Sequence, residues 1–310
     1  MSKPFRFGVQ THSAADPKAW RDRARHIEAL GYSTMYIPDH FGDQYGPIVA
    51  LTVAAEATDT LNVGALVFDN DYRHPVVLAK EIATLDLVSS GRVEFGIGAG
   101  WMKTDYDESG MKYDSPGVRV TRMEEGIQIM KALWRDGSAT FKGEHYTIAN
   151  AQGQPRPFTQ PHPKFLIGGG GKRVLSIAAR EADIVGVNPN LKEGFVGPQA
   201  IESAKPEYFH ERIGWIKDAA GARFDDIELQ VLTFVTQVVP NKREVVENMA
   251  PLFGVTPEEA EQIPLVNVGT PDEIADTLRE RRETFGFNYI VVQADAYEAF
   301  APVVEKLAGT

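Results

Sequence analysis

The chain has 310 residues, is 43% hydrophobic and contains no cysteine. This apolar fraction is too high for a disordered chain, and with this length it is enough to bury a large core. The formal net charge of −11 disfavours nucleic-acid binding, and the absence of cysteine excludes disulfides, thiol nucleophiles and iron–sulfur ligation.

The first half of the chain predicts strands that alternate with helices. Short apolar segments are typical of buried strands, whereas the helices repeat apolar residues at helical spacing and two of them stop at glycine. In chain order the predicted elements are strand Phe5 to Val9, helix Pro17 to Leu30, strand Thr34 to Pro38, helix Pro47 to Ala57, strand Leu61 to Phe68, helix Pro75 to Ser89 and strand Arg92 to Ile97.

The second half repeats the alternation with interruptions. Its predicted elements are helix Val118 to Trp134, a small β excursion from Phe141 to Ile148, strand Lys164 to Ile167, helix Val174 to Glu181, strand Ile184 to Val187, strand Ile227 to Val239, a broken helical segment from Lys242 to Ile263, helix Pro271 to Phe285, strand Asn288 to Gln293 and helix Glu298 to Leu307. Eight strand–helix pairs predict an α/β fold, a single (β/α)₈ TIM barrel over residues 1–310 with insertions after strands four and six.

Neither export nor membrane insertion is predicted. Residues 1–10 (MSKPFRFGVQ) lack the apolar core of a signal peptide. The longest apolar stretches, such as Pro47 to Ala55, are much shorter than the roughly 20 residues that span a bilayer. We therefore expect a cytoplasmic protein that binds a small-molecule organic substrate, with no nucleic-acid or membrane partner.

In a barrel of this kind the active site lies at the carboxyl ends of the strands. His40 follows strand two, where a histidine could give or take a proton near neutral pH, and it is the predicted catalytic residue. The alternative is a loop histidine that only hydrogen-bonds the backbone. Asp39, His40 and His12 could instead bind a metal ion, but no His-x-His or Glu-x-x-His spacing supports this, and no metal site is predicted.

Four glycines, Gly168 to Gly171, precede Lys172 and a predicted helix. Backbone N–H groups at such a turn can approach an anion closely, so the turn predicts a phosphate site, with Gly169 and Gly170 open to the ligand. The alternative is a flexible turn between a strand and a helix. The spacing Gly96-x-Gly98-x-Gly100 lacks the third glycine and following helix of a dinucleotide fingerprint, and its glycines are expected to pack against a planar ligand.

Side chains that face the substrate are expected at the same strand ends and in two loops, Trp101 to Pro116 and Asn188 to Ala204. A planar or apolar substrate is favoured by the aromatic residues there, although packing beneath the loops would account for them equally well; these are Phe41, Tyr45, Tyr72, Trp101 and Phe195. The candidate substrate contacts are His12, Phe41, Tyr45, Tyr72, Trp101 and Asn188.

Several short motifs together resemble one family, the luciferase-like oxidoreductases, and in particular their branch that uses coenzyme F420, a deazaflavin. The resemblance extends over nearly the whole chain and implies a (β/α)₈ barrel that is often a homodimer. The motifs are Arg73-His74-Pro75, Leu78-Ala79-Lys80-Glu81, Leu85-Asp86, Ser90-Gly91-Arg92-Val93, Gly96-Ile97-Gly98-Ala99-Gly100-Trp101, Arg122 with Glu124 and Glu125, Leu133-Trp134, Phe141-x-Gly143 with Tyr146, and Ile167-Gly168-Gly169-Gly170.

The resemblance also implies a cofactor and its contacts. The strand-two ending Asp39-His40 is similar to members that use coenzyme F420, whereas members that use flavin mononucleotide (FMN) more often have Glu-His-His there. By the same match, His40 contacts the ring and assists the proton step, and a non-proline cis peptide is expected at Leu66–Val67. Trp101 stands where members that oxidise a sugar phosphate have an acidic residue. The implied cofactor contacts are Asp39, His40, Leu66, Val67, Asp69, Ala99, Gly100, Trp101, Gly168, Gly169, Gly170, Gly171 and Lys172.

Three functions follow from these observations. The first is an F420-dependent oxidoreductase that transfers a hydride between the deazaflavin and an organic substrate. The alternative is an FMN-dependent luciferase-like monooxygenase that uses oxygen. A barrel that binds a ligand without catalysis is the third, and the combination of His40 with the glycine turn argues against it.

Overall fold

Eight parallel strands form a closed ring in the computed structural model, which describes residues 3–310. Each strand pairs with its sequence neighbours, and the ring closes between the first and the last strand, where Val9 lies opposite Val292. The predicted TIM barrel is therefore confirmed. The strands are β1 (Arg6–Gln10), β2 (Thr34–Ile37), β3 (Asn62–Ala65, continued by Phe68–Asp69), β4 (Val93–Gly98), β5 (Lys164–Gly169), β6 (Ile184–Val187), β7 (Glu228–Leu232) and β8 (Phe287–Gln293).

A helix after each strand covers the outside of the barrel. Six of the eight helices have proline in the first turn, where its fixed φ suits the helix and its missing N–H is not needed. The helix that follows β6 was not predicted from the sequence. The helices are α1 (Pro17–Ala29), α2 (Pro47–Glu56), α3 (Pro75–Val88), α4 (Pro116–Arg135), α5 (Lys172–Glu181), α6 (Pro206–Ala220), α7 (Pro271–Phe285) and α8 (Tyr297–Leu307).

Side chains fill the interior of the barrel at the amino-terminal ends of the strands. β2 and β6 are buried along their whole length, as expected for parallel strands covered on both faces. Inside, the hydroxyl of Tyr289 donates to the hydroxyl oxygen of Tyr36 (2.8 Å), and Arg6 donates to Glu94 (2.7 Å). The hydroxyls of Tyr36 and Tyr289 also bond to Glu94, so these side chains close this end of the barrel, and in the described part of the chain the cleft lies at the carboxyl end of the strands.

Four segments extend the basic barrel, and three of them are short. A short helix, Lys103–Ser109, lies between β4 and α4. An antiparallel hairpin, Ser138–Lys142 with Thr147–Gln152, lies between α4 and β5, where a small β excursion was predicted. A loop with one short helix, Pro198–Glu202, follows β6.

The predicted seventh strand, Ile227 to Val239, is wrong in its second half. The barrel strand ends at Leu232, and Val235–Val238 pairs instead with Val266–Gly269 in a separate two-stranded parallel sheet. The helices Arg243–Phe253 and Pro257–Gln262 lie between those two strands. A segment rich in β-branched residues can pair in either sheet. Local composition therefore could not show where the chain leaves the barrel sheet for the second sheet.

Within residues 3–310 the structure contains no helix that is both long and apolar enough to cross a membrane.

Candidate functional site

A cleft of about 500 Å³ opens at the carboxyl ends of the strands. Its volume lies in the range of about 300–1,000 Å³ that is common for small-molecule sites. Most of the predicted site residues line it. They are His12, Asp39, His40, Leu66, Val67, Asp69, Tyr72, Ala99, Gly100, Trp101, Gly168, Gly169, Gly170, Gly171 and Asn188.

The remaining three predicted residues, Phe41, Tyr45 and Lys172, lie outside the cleft wall. The ring of Phe41 stacks obliquely on that of Tyr72, with 4.6 Å between centroids. Tyr45 packs against the ring of Trp20 (5.2 Å), and its hydroxyl donates to a backbone carbonyl oxygen. The structure therefore gives Tyr45 a packing role, because its ring and its hydroxyl are both used within the protein.

His40 lies on the cleft wall directly after β2 and bonds to a residue that the sequence did not single out. Its Nδ1 is 2.6 Å from Oδ2 of Asp105, a buried residue of the helix Lys103–Ser109. The same oxygen accepts a hydrogen bond from the hydroxyl of Tyr72 (3.0 Å). The ring of Trp101 meets His40 edge-on at 5.7 Å. Asp105 lies 65 residues from His40 in the sequence, and no local pattern marks it as its partner.

Asp39 reaches the cleft wall, but its carboxylate is bonded to the protein. Both of its oxygens bond to the guanidinium of Arg73, and Oδ2 also accepts the backbone N–H of Asp69 (3.1 Å). With its acceptor sites occupied in this way, Asp39 fixes the strand end that carries His40. Its carboxylate is therefore not free to bind a ligand, and the backbone of Asp39 is the part that could contact one.

Asp69 is a buried carboxyl group on the cleft wall. Burial raises its pKa to about 7, even though the N–H of Asp71 and the hydroxyl of Tyr106 donate to it at 2.8 and 3.1 Å. The neighbouring carboxylates of Asp71 and Asp39 raise the pKa further. Asp69 therefore titrates close to neutral pH.

The cis peptide expected from the resemblance is present at Leu66–Val67. Its carbonyl oxygen on Leu66 accepts a hydrogen bond from the side-chain amide of Gln10 (2.9 Å). Two glycines near this peptide, Gly98 and Gly100, are required for the packing of the protein itself. A Cβ on Gly98 would lie 2.7 Å from Val67, and one on Gly100 would collide with the hydroxyl of Tyr106. These glycines make room for protein side chains, and both also line the cleft, so their packing against a planar ligand stays a prediction.

The glycine turn is also tighter than predicted. A Cβ on Gly169 would lie 2.6 Å from Val174, and one on Gly170 would collide with the carbonyl oxygen of Pro189. Gly169 and Gly170 both line the cleft, as predicted for a turn that a ligand can approach, and their missing side chains also allow protein to pack against them. Gly171 differs from both, since no atom lies within 4 Å of the position its Cβ would take.

The turn nevertheless retains the geometry of an anion site. Gly171 precedes α5 and offers no side-chain cap, so the first N–H groups of the helix have no side-chain acceptor there. Leu66, Val67 and Ala99 add an apolar wall to the same cleft. The residues present thus fit a planar ring with a phosphate-bearing tail, the ring on the apolar wall and the phosphate near Gly171.

His12 lies at the edge of the cleft. Its pKa is lowered, mainly by partial burial and further by the nearby positive charges of His40 and Arg23. Of the three side chains first considered as metal ligands, Asp39 is bonded to Arg73 and His40 to Asp105. No group of three acidic or histidine side chains that could hold a metal ion occurs in the described part of the chain.

Comparison with known proteins gives consistent results. The family described as "Luciferase-like monooxygenase" matches residues 1–212. An F420-dependent glucose-6-phosphate dehydrogenase from Amycolatopsis mediterranei is 30% identical over 175 residues, which cover 54% of this chain and 52% of that protein. An FMNH2-dependent dimethylsulfone monooxygenase from Pseudomonas putida is 30% identical over 138 residues, 44% of this chain and 38% of that one. The chain thus spans about half the length of the curated relatives it matches, or less.

Among solved structures, the coenzyme F420-dependent tetrahydromethanopterin reductase from Methanopyrus kandleri superposes with a TM-score of 0.78. The superposition covers 98% of both chains at 20% sequence identity. At this identity the similarity establishes the barrel fold over the full length of the chain.

Proposed function

The chain belongs to the luciferase-like monooxygenase family, and from this we propose that it is a coenzyme F420-dependent oxidoreductase. The proposed reaction transfers a hydride between the deazaflavin and a small organic substrate. The observation that carries the proposal is the position of His40, which follows β2 with Asp39 before it and lines a cleft that also contains the glycine turn. Similarity to F420-dependent glucose-6-phosphate dehydrogenases supports the choice of cofactor.

Each part of the cleft has a separate task in this proposal. When bound, the deazaflavin supplies the hydride acceptor or donor. His40 gives or takes the accompanying proton through its ring nitrogen on the cleft side. The backbone at Gly171 and the start of α5 binds the phosphate. The protein's net negative charge repels phosphate, and the N–H groups at the helix N-terminus provide the local positive potential that offsets this repulsion. The apolar wall around Leu66 and Val67 keeps water away from the ring.

The outer wall of the cleft favours a largely apolar substrate. Side chains from three separate segments provide it, namely Trp101 after β4, Leu191 and Val196 after β6, and Phe234 after β7. Val196 and Phe234 are exposed although they line the cleft, and a bound apolar group would cover them. Trp101 replaces the acidic residue of sugar-phosphate-oxidising members, so we propose a substrate other than a sugar phosphate.

The second candidate is an FMN-dependent monooxygenase that uses oxygen. The similarity to the dimethylsulfone monooxygenase of Pseudomonas putida supports it, and the same barrel and phosphate site would serve FMN.

Cofactor titration separates the two candidates. Purified protein is titrated with coenzyme F420 and, separately, with FMN, and binding is followed by the fluorescence of each. We expect at least tenfold tighter binding of coenzyme F420, which corresponds to about 1.4 kcal/mol, and turnover without oxygen consumption. Tighter binding of FMN, together with oxygen consumption, would favour the monooxygenase instead.

We also propose that the protein forms a homodimer through the outer faces of α2 and α3. An apolar groove of about 320 Å³ lies between these helices, and Val49, Val77 and Val88 are exposed beside it. Lys80 and Glu81 lie on the same groove and could pair with their opposites across a two-fold axis. Light scattering tests this, and Val77→Lys is expected to give monomers; a wild-type monomer at micromolar concentration would contradict it.

A further inference from the structure

We infer that Asp105 is the positioning residue of the site: it holds the ring of His40 in one tautomer and leaves Nε2 as the nitrogen available to the cleft. The inference deepens the proposed function, because it assigns the orientation of the group that would handle the proton.

The carboxylate of Asp105 is the acceptor in each of its hydrogen bonds. The hydroxyl of Tyr72 (3.0 Å) and the backbone N–H of Phe41 (3.4 Å) both donate to its carboxylate, and Nδ1 of His40 is the third group, at 2.6 Å. Since a carboxylate oxygen accepts, Nδ1 carries the ring hydrogen. A neutral ring then has an unprotonated Nε2, and within residues 3–310 no side chain or backbone group bonds to that nitrogen.

Asp105 is itself held in place from several directions. It is buried, and the hydroxyl of its neighbour Tyr106 shares its one hydrogen between the carboxylates of Asp69 and Asp71, both at 3.1 Å. The helix that carries it begins at Lys103, whose N–H donates to the carbonyl oxygen of Gly194 (3.0 Å). A carboxylate fixed in this way can define the angle of the His40 ring as well as its tautomer.

A buried carboxylate also stabilises the ring after it takes up a proton. A histidine that gains a proton on Nε2 becomes a cation, and the negative charge next to Nδ1 offsets it. The competing explanation is that Asp105 only anchors the helix Lys103–Ser109 over Phe41 and Tyr72. Both explanations predict lower stability on mutation, whereas only the first predicts a change in the His40 ring.

Nitrogen-15 NMR of the histidine rings distinguishes the two. The full chain is labelled at its histidines, and the His40 signals are assigned by their loss in His40→Gln. In the wild type we expect the tautomer with hydrogen on Nδ1 at a pH where the ring is neutral. Asp105→Ala should raise the population with hydrogen on Nε2 at least tenfold, and Asp105→Glu should restore the wild-type tautomer at least in part.

The control is Asp107→Asn on the same helix. Asp107 is exposed and pairs with Lys103 at the surface, so its replacement should leave the His40 signals unchanged. Circular dichroism confirms folding. If Asp105→Ala does not fold, the tautomer of the wild-type ring by itself still tests the inference.

A wild-type ring with hydrogen mainly on Nε2 would overturn the inference, and so would an Asp105→Ala ring identical to the wild type. Neither result depends on turnover. The proposed function would fail separately, if His40→Ala were fully active, so the two failures are distinguishable.

Discussion

Arg73 and Asp39 form a two-point ion pair immediately beside His40. Nη2 of Arg73 lies 3.1 Å from Oδ1 of Asp39, and Nη1 bonds to the other carboxylate oxygen. Asp39 is buried and also accepts the backbone N–H of Asp69. The pair therefore joins the end of β2 to the chain that follows β3, and it determines where the backbone presents His40.

Asp39→Asn is expected to lower the free energy of unfolding by about 3 kcal/mol, toward the low end of the range for breaking a buried ion pair. The guanidinium of Arg73 would lose its counter-charge while remaining mostly buried, although a side-chain exposure of 22% moderates the loss. Urea unfolding measures this. The control is Asp136→Asn, which breaks an exposed pair with Arg135 and should lower the free energy of unfolding much less. Equal losses for the two variants would show that the Asp39 pair contributes no more than an exposed ion pair.

His40→Ala is expected to lower turnover by about 10²–10⁴-fold, the usual span for a group that transfers a proton. Cofactor affinity should change much less, because the phosphate site near Gly171 is separate from the ring. Turnover is measured from the visible absorbance of the deazaflavin with a panel of alcohols, ketones and quinones. His210→Ala, at an exposed position on α6, is the control. Near-normal turnover of His40→Ala would show that His40 is structural.

Gly171→Asp is expected to weaken cofactor binding at least tenfold, about 1.4 kcal/mol, without loss of the fold. Its Cβ has open space around it and its φ of −106° suits any residue, so only the added carboxylate acts on the phosphate. Gly171→Ala is the matched control and should bind nearly as well as the wild type. If Gly171→Asp binds the cofactor normally, the phosphate lies elsewhere.

Gly170→Asp would give a different result. Its Cβ would collide with the backbone of Pro189, which has no flexible side chain to move aside. We expect this variant to be strongly destabilised, as measured by its thermal unfolding midpoint, whether or not cofactor is present. A stable Gly170→Asp variant would show that the loop after β6 can move away from the turn.

Asp69 should make stability depend on pH. Burial raises its pKa to about 7 in the folded chain from 3.8, so between about pH 4 and pH 7 the folded state holds a proton that the unfolded state has released. Stability from this group therefore falls as pH rises through that window, by at most about 1.4 kcal/mol per pH unit. Asp69→Asn should remove the slope in urea unfolding from pH 5 to 8, whereas the exposed control Asp218→Asn should not. Parallel curves for wild type and Asp69→Asn would contradict the assignment.

Most of the strands and helices, and the segments that meet at the open end, were predictable from residue types alone; the helix after β6 and the end of β7 were not. Repeats of apolar residues reflect which face of each element is buried, and this is a local property. Gly31 and Gly91 mark helix ends through their positive φ, and His40 was found because it directly follows a strand. These inferences needed no knowledge of which distant residues come into contact.

The partners of those residues became known from the folded chain. Asp105 bonds to His40 across 65 residues, and Val235–Val238 leaves the barrel to pair with a strand about thirty residues later. Position 170 requires glycine because the backbone of Pro189 packs against it, whereas position 171 has space for a side chain. Contacts of this kind depend on distance in space rather than along the chain, so no local pattern of residue types records them.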